Sequence, residues 1–161
     1  MEKIMVNRLI NGFRGKDTHV DALKALKGLS AADARNEPSQ GIHSIWANLY
    51  HILFWHNITR DAVRGAEIDW KSIQGKDWPI PEEMKDDSKW SELVATFEQS
   101  IEEAKEILEM SDLSQSIPSW GGMSIAEAMF IIAQHNSYHI GQIVITRQLM
   151  GKWPPPKNAE S

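Results

Sequence analysis

The sequence predicts an all-α protein, a four-helix bundle with an additional N-terminal helical segment and long loops. The alternation of apolar and polar residues that is typical of half-buried strands is almost absent from the 161 residues. Apolar residues instead recur every three or four positions in several long segments, as they do along one face of an α-helix. The length suits one domain, and we therefore expect residues 1–161 to form a single helical-bundle domain.

Two helical segments are expected near the N-terminus. Apolar side chains share one helix face within residues 2–13, and the same pattern returns within residues 18–28. Gly15 lies between the two segments and either separates them or bends one continuous helix. Thr18 and Asp21 have the spacing of a capping box, which favours a new helix start at Thr18.

Three longer helices are expected in the rest of the chain. The segment 44–64 is apolar nearly all round, which predicts a central position in the bundle. The segment 88–109 places its charged residues on one side and its apolar residues on the other. The last helix spans about residues 125–150, and Ser124 with Glu127 forms a capping box at its start.

Two long connections, residues 66–86 and 110–123, are rich in tryptophan. The first carries Trp70 and Trp78, and the second carries Trp120. Loops of this length inside a small bundle are often functional, and the loop with Trp70 and Trp78 is the candidate for a lid over a site. The interpretation that we favour for these tryptophans is that they anchor the loops to the core.

Composition and charge argue against several classes of function. Asp and Glu number 22 and Lys and Arg number 17, so the formal net charge of −5 opposes nucleic-acid binding. The absence of cysteine excludes disulfides, thiolate metal sites and a cysteine nucleophile from this chain. The sequence has neither a long apolar run nor the pattern of a signal peptide, and we expect no membrane span and a cytoplasmic location.

The histidines are the candidate functional residues. His135 and His139 are four positions apart in the last predicted helix, so both project from one face, and that face is largely apolar. Buried imidazoles need partners, because an unsatisfied buried polar group costs roughly 1–3 kcal/mol. A shared divalent cation would satisfy both rings and remove any repulsion between them.

A third ligand should come from another buried helix face. We choose His51, in the middle of the central helix, with His56 as the alternative about 140° around that helix. His43 lies at the entry to the helix, where exposure or capping explains a polar residue, and His19 lies in a charged stretch and is expected at the surface. For all of these histidines an ordinary hydrogen-bonded role stays open. Two nearby amides that could bond to the imidazoles or to backbone groups are Asn48 and Gln142.

Two segments of this chain resemble the motifs of a known family. The segment GIHSIWANLYHILFW (residues 41–55), followed much later by HNSYHIGQIVITRQL (residues 135–149), is similar to the two motifs of the DinB/YfiT-like family of small bacterial helical bundles. The stretch ALKGLSAADARNEP (residues 25–38) is similar to the family's lead-in to the first motif. The resemblance covers about residues 5–152 and leaves a Pro-rich tail at 153–161, which we expect to be extended and partly mobile.

The resemblance implies a bundle of DinB/YfiT type with a three-histidine metal site. His51 matches the family's ligand on its second helix, and His135 and His139 match its HxxxH pair. The resemblance also implies a homodimer packed through helices. The residues that match the family's YHxGQ signature are Tyr138, His139, Gly141 and Gln142. The face of the central helix that could supply the dimer surface, or belong to the core, carries Ile45, Leu49, Ile52 and His56.

The ligand set indicates the chemistry to expect. Three imidazoles bind Zn²⁺ or Ni²⁺ readily and leave at least one coordination position open, as in catalytic sites. Metal-bound water or thiolate would be the nucleophile, and a small-molecule cosubstrate, such as the low-molecular-weight thiols used by some family members, would have to supply the thiol. We therefore expect a metal-dependent thiol S-transferase or hydrolase acting on a small molecule. The alternative is a non-catalytic, metal-stabilised dimeric binding or stress-response module.

Overall fold

Four long helices form the bundle, and short elements occupy the connections between them. The computed structural model describes residues 2–156. Its helices are α1 (Glu2–Arg14), α2 (Ala22–Leu26), α3 (Ala31–Arg35), α4 (Ile45–Val63), α5 (Trp70–Ile73), α6 (Ser88–Met110) and α7 (Ile125–Leu149). Two short antiparallel strands are β1 (Ser116–Ile117) and β2 (Met123–Ser124), with Ser116 opposite Ser124, and single 3-10 turns span Pro81–Met84 and Pro118–Trp120.

The four long helices are α1, α4, α6 and α7. The most extensive contact is between α4 and α7, and α4 also packs on α6, while α1 packs on α6 and α7. This arrangement confirms the all-α bundle, with α2 as the additional N-terminal segment. Among the residues that the structure describes, no helix combines the length and apolarity needed to cross a membrane.

The predicted helix ends are set by side chains that cap free backbone groups. The Ser44 hydroxyl accepts a hydrogen bond from the backbone N–H of Ala47 at 3.1 Å, and α4 begins at the next residue after Ser44. At the start of α7, Ser124 and Glu127 form the reciprocal capping box that their spacing predicts. Both helices therefore lie close to their predicted bounds.

The second N-terminal helix begins later than predicted. The Asp21 carboxylate accepts from the backbone N–H groups of Leu23 and Lys24, so Asp21 is itself the N-cap of α2. The Thr18 hydroxyl instead donates to the carbonyl of Gly15 at 3.1 Å. The predicted start at Thr18 is wrong, because Asp21 is itself the N-cap residue of the helix and not the third residue after a Thr18 N-cap.

Short elements also occupy segments for which no helix or strand was predicted. Helix α3 follows Ser30, which forms a reciprocal capping box with Asp33. Helix α5 lies within the connection 66–86, and the β1–β2 hairpin lies within 110–123. Elements of two to five residues are too short to produce a periodic apolar pattern, which is why the sequence analysis missed them.

The second apolar face of α4 belongs to the core. Ile45, Leu49 and Ile52 are 0% exposed, and His56 is 5% exposed. The three aliphatic residues belong to a buried apolar cluster that includes residues of α6 and α7, and His56 hydrogen-bonds to Ser100 and Asn136. None of the four is left exposed to a partner chain. This face therefore does not supply a dimer surface, and the core alternative is the correct one.

A buried arginine of α7 holds the α2 segment and the chain that follows α7. Arg147 is 1% exposed and donates to three backbone carbonyls, which satisfies its guanidinium without a carboxylate. Its charge also lies 5.7 Å from the ring centroid of Trp153, and Pro155 is buried. Trp153 and Pro155 thus contact the bundle, while Pro154 and Pro156 are exposed and residues 157–161 lie outside the described part of the chain. The three acceptors are Ala25 at 2.7 Å, Lys27 at 3.0 Å and Lys152 at 3.1 Å.

Candidate metal centre

Three histidines converge between α4 and α7. His51 lies on α4, and His135 and His139 lie on α7, so the main helix contact of the bundle positions all three. One ring nitrogen of each residue lies within 4.8 Å of those of the other two. The Nε2 atoms of His51 and His135 are 3.0 Å apart. The structure therefore brings together the same three residues that the sequence analysis selected.

The orientation of His51 is fixed by the loop that precedes α6. Its Nδ1 lies 2.8 Å from the backbone carbonyl oxygen of Asp77. A carbonyl oxygen only accepts, so Nδ1 carries the proton and donates it, and Nε2 keeps its lone pair. The Asp77 carboxylate lies 3.5 Å from the same Nδ1 and favours this tautomer. The unprotonated Nε2 is the atom that faces His135.

His139 is fixed in the same tautomer by two side-chain amides. Its Nδ1 lies 2.9 Å from Oδ1 of Asn48 and 2.9 Å from Oε1 of Gln142. The Asn48 amide group is oriented by its own donation to the carbonyl of Ser44 at 3.0 Å, which leaves its oxygen to face His139. Asn48 therefore bonds both to the backbone and to a candidate ligand, and Gln142 bonds to the ligand. Nε2 of His139 is again left unprotonated.

His135 is the least constrained of the three. Its Nδ1 is buried and has no hydrogen-bond partner among the described residues, and its Nε2 faces Nε2 of His51. The ring is partly exposed, whereas His51 and His139 are 7% and 5% exposed. The side of the centre that solvent or a small molecule can reach is therefore the side of His135.

Burial keeps all three imidazoles neutral. Burial, together with the smaller effect of the neighbouring imidazoles, lowers the pKa of His135 to about 3 and that of His139 to about 4. The pKa of His51 is also lowered, mainly by burial, although hydrogen bonding and charge from Asp77 oppose the shift. Neutral imidazoles are the form that binds a cation, so at neutral pH the group needs no proton release before it does so.

The donor set fits a divalent transition-metal ion. Tetrahedral zinc holds imidazole nitrogens at about 2.0–2.1 Å, which places those nitrogens roughly 3.3 Å from one another. The spacing of His51 and His135 is close to that value, and all three nitrogens lie within 4.8 Å. Three nitrogen donors suit zinc, nickel or copper better than magnesium or calcium, which prefer oxygen. His51, His135 and His139 could therefore hold a metal ion.

A tryptophan from the loop 66–86 lies against this group. The Trp78 ring is stacked between His43 and His51, with ring centroids 3.9 and 4.1 Å away and interplanar angles of 14° in both cases. Trp78 thus covers the outer face of a candidate ligand, as a lid residue would. His43 is exposed and stacks on the other face of the indole.

Trp70, the other tryptophan of that loop, lies elsewhere. Its ring packs on Trp120 with centroids 5.9 Å apart, and its Nε1 donates to the carbonyl of Ser119 at 2.9 Å. Trp70 therefore anchors the loop to the β1–β2 hairpin region, as the interpretation favoured from the sequence predicts. Only the Trp78 end of the loop reaches the histidines.

His56, the alternative third ligand, belongs to a separate polar network. Its Nδ1 lies 2.8 Å from the hydroxyl of Ser100 and its Nε2 lies 2.9 Å from Oδ1 of Asn136. Both ring nitrogens are therefore occupied, and His56 is not part of the three-histidine group. His19 is exposed, as predicted, and its Nε2 bonds to the hydroxyl of Ser137.

The sequence analysis missed the contribution of Asp77 and the partners of His56. Asp77 acts on His51 through a backbone carbonyl, which any residue type could offer, so no side-chain pattern marks it. Ser100 lies on a helix whose other polar residues face water, and nothing in its spacing separates it from them.

Comparisons with known proteins support the fold. The sequence model of the DinB superfamily matches residues 16–143. A conserved protein from Enterococcus faecalis has a crystal structure similar to this chain, with a TM-score of 0.59 and 19% sequence identity over 94% of this chain and 96% of that one. At this identity the likeness shows a shared fold. No curated protein matches the chain in sequence.

The hydrogen bond from His139 to Gln142 makes a prediction about metal affinity. We expect Gln142→Ala to weaken Zn²⁺ binding by about tenfold, because one of the two acceptors that orient His139 is lost while Asn48 remains. Competition with a chromophoric chelator at neutral pH measures the effect. Gln134→Ala, on the exposed side of α7, is the matched control. Equal affinities for the parent and Gln142→Ala would contradict the orienting role.

The buried network of His56 makes a prediction about acid stability. Burial lowers the pKa of His56 to about 4 from about 6.5 in the unfolded chain, so below pH 6.5 the unfolded chain binds more protons at this residue. The metal-free protein should therefore lose about 3 kcal/mol of unfolding free energy through this residue between pH 6.5 and 4.

Urea denaturation across this pH range checks the expectation. His56→Gln should lose about 3 kcal/mol less than the parent on the same acidification, and His19→Gln, at an exposed histidine, should follow the parent. If the parent and His56→Gln lost stability in parallel, burial of a neutral His56 would not be the cause.

Proposed function

This chain belongs to the DinB superfamily, and from that premise we propose that His51, His135 and His139 bind a divalent metal ion, zinc or nickel, in an enzyme that acts on a small molecule. The observation that carries the proposal is the tautomer of the two most buried rings. Both donate from Nδ1 to fixed acceptors, so both keep an unprotonated Nε2 for a cation.

The reaction class that we propose is thiol S-transfer or hydrolysis. Three protein ligands leave a coordination position open, and open sites are the catalytic kind. A divalent cation in this group would favour deprotonation of a bound thiol or water. Because the chain has no cysteine, a thiol nucleophile must come from a cosubstrate. The partly exposed side of His135 is the approach that supports entry of such a molecule.

The chain's own residues would position the ligands and restrict access. The Asp77 carbonyl and the amides of Asn48 and Gln142 hold protons at the Nδ1 atoms, away from the reacting side. The Trp78 indole covers the outer face of His51 and would exclude water there. The Asp77 carboxylate faces Nδ1 of His51, a position that suits an orienting group better than a general base.

A non-catalytic role is the alternative, because a cation bound by α4 and α7 would cross-link the main helix pair of the bundle. The two proposals differ in whether a small molecule can enter the coordination sphere. A panel of electrophiles offered with thiols, and of esters and amides, tests the enzymatic proposal. The structural role would replace the enzymatic proposal if the metal-loaded protein turned over none of these compounds and no thiol or anion displaced water from the metal.

Elemental analysis of untagged protein tests the metal site itself. We expect about one zinc or nickel ion per chain in the parent, and loss of that metal in His51→Ala and His139→Ala. His19→Ala is the matched control, because this histidine is exposed and lies outside the three-histidine group. Absence of metal from the parent protein after reconstitution would contradict the proposed metal site.

We also propose a homodimer that packs through the outer side of the C-terminal half of α7. Ile145 and Leu149 are 54% and 57% exposed and lie one turn apart on the same helix face, where a second copy could cover them. The double change Ile145→Glu and Leu149→Glu should halve the mass measured by light scattering. Met110→Glu, at an exposed methionine of α6, should not change it. A monomeric parent would contradict the proposal.

A further inference from the structure

A groove runs between α4, the 3-10 turn Pro81–Met84 and the N-terminal half of α6. Its volume is about 450 Å³, which lies within the range of about 300–1,000 Å³ that small-molecule sites occupy. None of the three candidate metal ligands, His51, His135 and His139, lines this groove. The groove is therefore a separate site, and a ligand held there needs no metal.

The floor of the groove is apolar and partly aromatic. It is formed by Trp46 and Tyr50, one turn apart on α4, and by Leu93 of α6. The Arg35 guanidinium, which also pairs with Asp87, lies 5.7 Å from the centroid of the Trp46 ring, so this indole already has a cation partner. The half-buried Tyr50 ring has no such partner in the described part of the chain. The floor can therefore accept an apolar body and a further cation.

The rim of the groove is acidic. Four carboxylates line it against a single ammonium group, that of Lys89. Lys89 is paired with Glu92 at 2.9 Å. Outside the lining, Lys85 pairs with Glu82 at 2.6 Å. Each nearby lysine thus compensates one carboxylate and leaves the rim with net negative charge. The four carboxylates belong to Glu82, Glu83, Asp86 and Glu92.

Two of these carboxylates, those of Glu83 and Asp86, have no cation partner. Glu83 accepts a hydrogen bond from the backbone N–H of Ile80 at 3.0 Å. Asp86 accepts from the backbone N–H of Ser88 at 2.9 Å and from its hydroxyl at 2.8 Å. Neither forms an ion pair with any residue between 2 and 156. Their charges therefore attract a cation into the groove and repel an anion.

We propose that this groove binds a small organic cation, an ammonium group carried on an apolar or aromatic body. The ammonium group pairs with Glu83 and Asp86, and the body packs on Tyr50 and Leu93. The rim selects the charge and the floor selects the body. The volume favours a small molecule over a segment of a partner protein.

Three phenyl compounds of similar size and different charge test the selection. Phenethylamine is a cation at neutral pH, phenethyl alcohol is neutral and phenylacetate is an anion. Isothermal titration calorimetry on the full chain gives the Kd of each. We expect phenethylamine to bind about tenfold more tightly than phenethyl alcohol, and phenylacetate to bind most weakly. Raising NaCl from about 20 mM to about 500 mM should reduce this preference, because salt screens exposed charges.

Variants assign the binding to the groove. Glu83→Gln and Asp86→Asn keep an oxygen for the backbone hydrogen bonds and remove the charge, and each should weaken phenethylamine binding by about threefold. Tyr50→Leu keeps an apolar floor without the ring, and it should weaken phenethylamine by about threefold while phenethyl alcohol stays within about twofold. Glu98→Gln is the matched control, because Glu98 is an exposed carboxylate of α6 outside the groove.

Each contrary outcome identifies what fails. Equal Kd values for phenethylamine and phenethyl alcohol, or tighter binding of phenylacetate, would overturn the selection of a cation. Unchanged phenethylamine binding in both Glu83→Gln and Asp86→Asn would place the amine elsewhere and overturn the assignment to this groove. Binding of a tetralysine peptide by a protein that does not bind phenethylamine would overturn the small-molecule proposal in favour of a basic protein partner.

Discussion

Imidazole rings buried between α4 and its neighbours must find partners for both ring nitrogens, because a buried polar atom without one costs roughly 1–3 kcal/mol. The arrangement of the bundle centre follows from this constraint. Asn48 is 1% exposed and its side-chain oxygen accepts a hydrogen bond from His139. The chain before α6 passes close to α4, where the carbonyl of Asp77 accepts a hydrogen bond from His51. In His51 and His139 the protein satisfies Nδ1 and leaves Nε2 free of a fixed acceptor, whereas Nδ1 of His135 has no partner among the described residues.

The same constraint has two solutions in one bundle. His56 is satisfied on both sides, by Ser100 and Asn136, and is therefore a structural residue of the core. In the group of His51, His135 and His139, the protein satisfies Nδ1 of His51 and of His139, and one ring nitrogen of each residue lies within 4.8 Å of those of the other two. His56 and the three-histidine group thus differ in their hydrogen-bond partners, since the protein occupies both ring nitrogens of His56 while Nε2 of His51 faces His135.

Most of the fold could be predicted from the sequence, since the long helices carry clear apolar faces and capping residues such as Ser44 and Ser124. The structure groups His51, and not His56, with His135 and His139, because His51 and His56 lie on different faces of α4. The sequence could not predict the role of Asp77, since a backbone carbonyl has no residue signature. It also could not separate Trp78, which contacts His51, from Trp70, which does not, since loop positions follow no period. The predicted start at Thr18 was wrong because Asp21 can cap a helix alone.

The separation of the histidines along the chain has a consequence for how the protein assembles. His51 and His135 are 84 residues apart, whereas His135 and His139 share one helix. In the unfolded chain His135 and His139 lie close together because they are only four residues apart. Bringing His51 to them requires closure of a long loop, which costs conformational entropy. A metal ion therefore gains its third histidine ligand only in chains in which α4 is docked on α7. An ion held by all three would therefore stabilise the folded chain, in which α4 is docked on α7, relative to the unfolded chain.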